Sequence, residues 1–135
     1  MYDIQEILNR YSLNINNSII IGSGIMNALN IRESHDIDIT VEQKSYDRLS
    51  KLPEFQVKKA SGLNVLTTDI LEIGTAFPIN NLSKIYSFDE LFQNSIVIDN
   101  VRYITLEFLL EIKKKWLREK DKRDIELIEK YLQSK

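Results

Sequence analysis

Asp36 and Asp38 lie two residues apart in the run Asp36-Ile37-Asp38-Ile39-Thr40-Val41, which alternates polar and apolar residues with period two. Read as a β-strand, that alternation sends both carboxylates to one face, with α-carbons about 6.5–7 Å apart. Such a pair can share oxygen-ligated magnesium or manganese. A third carboxylate from a neighbouring strand completes a two-metal arrangement able to orient a triphosphate and to neutralise charge on a leaving pyrophosphate. Asp69 is the expected third. Glu72 is its alternate, because the two fall on opposite faces of a regular strand and a bulge would exchange them. Asp-x-Asp on its own recurs in loops and at strand ends, so a second feature has to support it.

That feature lies upstream. Ser18-Ile19-Ile20-Ile21 is a short β-branched run ending at Gly22-Ser23, and apolar residues at helical spacing (Ile25, Met26, Ala28, Leu29) follow at once. A strand that ends in glycine and feeds a helix presents amides that the helix itself leaves unused. With the Ser23 hydroxyl they suit a phosphate group. Gly24 either allows close backbone approach or helps to make the turn. The order is strand, Gly-Ser, helix, then an acidic pair beginning thirteen residues after Ser23. It is neither a Walker loop, since no Gly-Lys-Ser/Thr follows, nor a Rossmann fingerprint, since the third glycine is missing.

These residues need a scaffold, and the spacing of apolar residues predicts one. Ile4, Ile7, Leu8 and Tyr11 mark a first helix within residues 2–12, and Gln43 to Leu52 a helix ended before Pro53. Phe55 to Lys58 and Leu63 to Ile73 read as strands. Ser87-Phe88-Asp89-Glu90 is a capping box opening a short helix to about Gln93. Ile96–Ile98 and Val101–Ile104 pair as a hairpin across Asp99-Asn100. Leu106, Leu109, Leu110 and Leu117 form one helical stripe, and Ile125, Ile128, Tyr131 and Leu132 a second. The expected class is α/β in the α+β sense: a small mixed sheet flanked by helices, with a C-terminal helical pair.

Composition narrows the chemistry further. A chain of 135 residues, 43% apolar and 28% charged, suits a single domain, here divided into a sheet-containing core to residue 104 and helices from 105 to 135. There is no cysteine, and the one histidine, His35, has no imidazole partner, so any metal must be held by oxygen. The longest apolar runs are only a few residues and the N-terminus is too polar for a secretory signal, which leads us to expect a cytoplasmic chain with no membrane partner. Residues 1–112 carry 9 basic and 15 acidic side chains, whereas residues 113–135 carry 9 basic and 5 acidic. The body is thus at −6 and the tail at +4. The tail admits an anionic partner, while a pI near 5.5 argues against a dedicated duplex-binding protein.

Other polar residues have two readings each. Arg32 either pairs with Asp36 or another acid, or contacts phosphate. Lys113, one of three consecutive lysines, falls on the apolar stripe with Leu106, Leu109 and Leu110, a position from which it reaches a cleft. Asp121 and Asp124 either support the last helix or belong to the site. Trp116 is most simply a core or interface aromatic, with base stacking as the other reading.

The combination Ile21-Gly22-Ser23, Asp36-Ile37-Asp38-Ile39 and Asp69-Ile70-Leu71 resembles the nucleotidyltransferase superfamily with the DNA polymerase β-like fold. The abortive-infection-toxin-like branch is the most similar. Its Arg-x-Ser/Thr-x-Asp-hydrophobic-Asp string is matched by Arg32-Glu33-Ser34-His35-Asp36-Ile37-Asp38, and its late lysine and Arg-x-Lys-Asp-x-x-Asp string by Lys113 and Arg118 to Asp124. The resemblance spans about residues 17 to 132. It implies Asp36, Asp38 and Asp69 as metal-binding and catalytic residues, with Gly22, Ser23, Arg32 and Lys113 at the nucleotide. Glu72, Arg118, Asp121 and Asp124 are secondary candidates.

The implied activity is transfer of a nucleoside monophosphate from a nucleoside triphosphate to a hydroxyl acceptor, using two magnesium or manganese ions. The acceptor class stays open among an RNA end, a protein and a small molecule. The alternative is a nucleotide-binding or protein-interaction module of the same fold with little catalysis, such as a toxin-antitoxin component. A homodimer or an antitoxin-like partner fits the small size of the chain.

Overall fold

Ser18, Ile19, Ile20 and Ile21 are all buried, and the strand they form lies inside a sheet rather than at its edge. The computed structural model describes residues 3–60, 62–79, 84–116 and 118–134. Along the chain the elements are α1 (Ile4–Arg10), β1 (Ser18–Ile21), α2 (Gly24–Ala28), β2 (Ile37–Val41), α3 (Gln43–Leu49), β3 (Gln56–Ala60), β4 (Leu63–Thr67) and β5 (Leu71–Gly74). They continue with β6 (Ala76–Ile79), β7 (Lys84–Ser87), α4 (Phe88–Gln93), β8 (Ser95–Ile98), β9 (Val101–Ile104), α5 (Leu106–Trp116) and α6 (Glu119–Gln133). Among the described residues the main sheet has seven strands in the order β3-β4-β5-β2-β1-β9-β8, and β6 and β7 form a separate two-stranded sheet. The sheet is mixed: β2 runs parallel to β5 and β1 parallel to β9, and the other pairs are antiparallel. A mixed α+β sheet flanked by helices agrees with the class expected from sequence.

Register sorts the side chains onto two faces. Directly paired residues share a face and neighbours along a strand alternate. Ile20 pairs with Ile39 and Tyr103, and Ile39 with Ile73. These four are buried on one face, where α2 packs so closely that a β-carbon on Gly24 would meet Ile20 Cγ2 at 2.4 Å. The opposite face carries Ile21, Asp38 and Glu72, then Ile19, Thr40 and Gly74, each set in register across β1, β2 and β5. Polar groups in the middle of a sheet need a reason, and this is the face on which the site is built.

Several expectations are corrected. The run Leu63 to Ile73 is two antiparallel strands, because Thr68 makes a tight turn. Its amide donates to the Leu71 carbonyl at 3.0 Å, and its Oγ1 accepts from the amides of Ile70 and Leu71 at 3.4 and 3.1 Å. Asp69 is therefore an exposed turn residue. Asp36 precedes β2 instead of lying within it. The first helix is shorter than residues 2–12, and β6 and β7 were not anticipated. Leu117 lies outside the described residues. The hairpin at Asp99-Asn100 is present with both residues at positive φ, 50° and 63°, as a type I′ turn needs even without glycine. Ser87 Oγ accepts from the Glu90 amide at 3.2 Å, but the Glu90 carboxylate pairs with Lys84 and does not close the capping box.

The C-terminal helices are joined by charge as well as by apolar contact. Lys113, only 5% exposed, places its ammonium 3.0 Å from both Asp121 and Asp124. No helix among the described residues is long and apolar enough to cross a membrane. Because the Gly24 contact leaves no room for a methyl group, Gly24→Ala is expected to lower stability by about 1–3 kcal/mol through overpacking against Ile20. A shift of the urea midpoint at unchanged slope measures it.

Candidate active site

Asp38 sits in the middle of the acidic group because its strand is flanked on both sides. On one side Ile21 is its partner, and the chain leaves β1 through Gly22, whose φ of +64° suits glycine. A β-carbon there would lie 2.9 Å from Asp38 Oδ2, so the turn is held directly against the carboxylate. On the other side Glu72 stands opposite Asp38 on β5, one strand spacing away. Asp36, exposed just before β2, adds its charge from the approach to the strand. Ser34 Oγ donates to the Asp36 carbonyl at 3.0 Å and lies 3.4 Å from Ser23 Oγ, tying this approach to the turn.

These residues line one end of a cleft of about 540 Å³, a volume within the range of small-molecule sites. Burial pushes the Asp38 carboxyl up to about 7, helped by the charges of Glu72 and Asp36, while Lys120 acts in the opposite direction. A half-buried carboxyl flanked by two further carboxylates is a donor set suited to a hard divalent cation. Among the described residues, however, no three acidic or imidazole side chains close on a single metal position. The cluster fits a cation as an open group of oxygen donors, not as a finished cage.

The far wall is formed by the end of α5 and the start of α6. Arg32 reaches Asp124 through two hydrogen bonds, Nε to Oδ1 at 2.7 Å and an Nη2 contact to Oδ2 at 2.8 Å, so the acid that it pairs with is Asp124 and not Asp36. Arg118 binds Asp121 in the same forked way, at 2.6 and 3.0 Å. Burial pushes both aspartates up, but hydrogen bonds from Arg118 and Lys113 to Asp121, and from Arg32 and Lys113 to Asp124, outweigh it and hold both carboxyls below the usual range. Lys113 lines the cleft with its ammonium bound to these two aspartates.

No protein-family model matches the chain, and neither does any curated protein sequence. Among solved structures, it is similar to a Thermotoga maritima protein described as a putative nucleotidyltransferase. That similarity has a TM-score of 0.50 and 14% identity, and it covers 98% of this chain and 94% of the other. The fold is nucleotidyltransferase-like. At that identity the likeness speaks for the arrangement of strands and helices, so the chemistry has to be argued from the residues.

The structure brings Gly22, Ser23, Arg32, Asp36, Asp38, Glu72, Lys113, Arg118, Asp121 and Asp124 to one cleft. Asp69 is not among the residues that line it. Glu72 faces the cleft in place of Asp69 because of the Thr68 turn and not through a bulge. Two further cleft residues were not singled out from sequence. Lys120 is exposed on the first turn of α6, inside the Arg118 to Asp124 string. Thr40 is fully buried two residues beyond Asp38 on the same face.

The two kinds of carboxyl give the metal-free protein a stability maximum in mild acid. Asp38 is raised, so the native state binds more protons than the unfolded chain between about pH 4 and 7, and stability falls as pH rises through that window. Asp121 and Asp124 are lowered, so their contribution is present above the ordinary carboxylate range and is lost in stronger acid. Urea titrations in a chelator from pH 3 to 8 should show both limbs, and Asp38→Asn should flatten the upper limb alone.

Proposed function

We propose that the chain is a nucleotidyltransferase that moves a nucleoside monophosphate from a nucleoside triphosphate to a hydroxyl acceptor. One observation carries this reading: Asp38 and Glu72 stand side by side on paired strands, against the Gly22-Ser23 turn, in the cleft that Asp36 also lines. Asp36, Asp38 and Glu72 would hold divalent magnesium or manganese, whose chemistry when bound is to orient the triphosphate and neutralise the charge of the leaving pyrophosphate.

Each remaining group then has a part. Among the first-turn amides of α2, that of Met26 donates to the Ser23 carbonyl at 3.0 Å, which leaves those of Gly24 and Ile25. Together with Ser23 Oγ they receive phosphate oxygens by direct donation, since a helix of five residues adds little macrodipole. The acceptor oxygen bonds to the α-phosphorus as the bond from that phosphorus to the bridging oxygen breaks, and pyrophosphate departs. Glu72 takes the acceptor proton. Lys120 offers its charge to the polyphosphate, whereas Arg32 and Lys113, committed to Asp121 and Asp124, hold the wall that faces it. Positioning and fixed charge are the main requirements of such a displacement.

The second reading is a nucleotide-binding module with little catalysis, and the absence of a closed three-ligand metal position among the described residues favours it. Incubation with each α-labelled nucleoside triphosphate, magnesium and pools of RNA, protein and small molecules separates the two. On the transferase reading, Asp38→Asn and Glu72→Gln each lose at least about 100-fold in label incorporation, whereas Asp69→Asn stays within about twofold of the parent. Binding without incorporation into any pool identifies the module. Loss in Asp69→Asn with retention in Glu72→Gln returns the third carboxylate to the turn.

A further inference from the structure

Part of the cleft lining beside Asp38 and Glu72 is not acidic. Beyond Asp38 the sheet face continues as Thr40 paired with Gly74, and β6 adds Phe77 and Pro78, while α5 contributes Leu109 and Trp116. Two details of the lining are unexplained by packing. Thr40 Oγ1 is buried with no hydrogen-bond partner among the described residues, and its neighbour in register, Gly74, has no side chain to cover it. An unpaired buried hydroxyl costs stability unless a ligand meets it.

The second detail is Arg118. Its guanidinium carbon lies 3.6 Å from the centroid of the Trp116 ring, and Phe77 meets that ring edge-on at 5.6 Å and 78°. Its Nε and Nη2 are taken up by the Asp121 carboxylate, which occupies one edge of the plane. The side chain nevertheless keeps 37% exposure and lines the cleft. A guanidinium laid on an indole, with its edge engaged, offers a flat face, and planar guanidinium faces stack on nucleobases.

We propose that Arg118, backed by Trp116, is a stacking platform for the nucleobase of the triphosphate, with Thr40 Oγ1 as a hydrogen-bonding group in the floor of the same cleft. This rests on the nucleotidyltransferase reading and gives Arg118, a secondary candidate from sequence, a part in holding the base. The base stacks on Arg118, and its polyphosphate extends toward Gly22 and Ser23.

Trp116 is the chain's one tryptophan, so its fluorescence reports on the platform. The test titrates the full chain, in magnesium, with each of the four ribonucleoside triphosphates and with inorganic tripolyphosphate, using calorimetry in parallel. Nucleoside triphosphates should change Trp116 emission and bind at least about tenfold more tightly than tripolyphosphate. Arg118→Lys keeps a positive charge beside Asp121 and removes the plane. It should weaken nucleoside triphosphates by about tenfold or more while leaving tripolyphosphate within about twofold. Thr40→Val should weaken nucleoside triphosphates about threefold to tenfold. Equal affinity of wild type for nucleotide and tripolyphosphate overturns the platform and leaves a triphosphate site standing. Equal weakening of both by Arg118→Lys overturns it in favour of a phosphate contact. Failure of every polyphosphate to bind overturns the nucleotidyltransferase reading and the platform with it.

Discussion

The buried ammonium of Lys113 is the point to which the far wall of the cleft is tied. An amine and two carboxylates taken out of water are costly unless each is paired and hydrogen-bonded. Here Lys113 lies between Asp121 and Asp124, Arg118 closes on the first aspartate and Arg32 on the second. Four separate parts of the chain meet in this way: the end of α5, its exit at Arg118, the start of α6 and the segment leading into β2. Removing a partner from such a group strands a buried charge, and such losses run to about 3–5 kcal/mol. Apolar residues alone would let α5 and α6 slide, whereas paired charges with fixed hydrogen-bond directions hold one register.

Opposite this wall the electrostatics are reversed. Asp38, Glu72 and Asp36 line the same cleft with no buried cation beside them among the described residues, and Lys120 acts from an exposed position. One side of the cleft is thus neutralised by buried ion pairs, while the other faces the exposed charge of Lys120.

Much of this architecture is legible in the sequence. The isoleucine run, the Gly22 turn and the alternation after Asp36 predict β1, α2 and β2, since each is a local pattern with a strong steric or periodic cause. Ser87 and the Asp99-Asn100 hairpin are legible for the same reason. The Thr68 turn is not, because it contains neither glycine nor proline and depends on the threonine hydroxyl bonding to the backbone two and three residues ahead. That one turn exchanges Asp69 for Glu72. The pairing of Arg32 with Asp124 spans 92 residues and has no local signature. Pro78 within β6 obscured the small sheet, since proline argues against a strand until its edge position is known. Cleft residues such as Thr40 and Lys120 become visible only when the register assigns them to a face.

The parallel pairing of β2 with β5 has a consequence for how such a site endures sequence change. Asp38 and Glu72 are separated by a backbone ladder whose spacing is the same in every β-sheet. Their separation is therefore set by a ruler that side-chain substitution elsewhere does not recalibrate. Loops, edge strands and helix surfaces can drift until little identity remains, and the distance between the two acids is still inherited intact with the hydrogen bonds of the two strands.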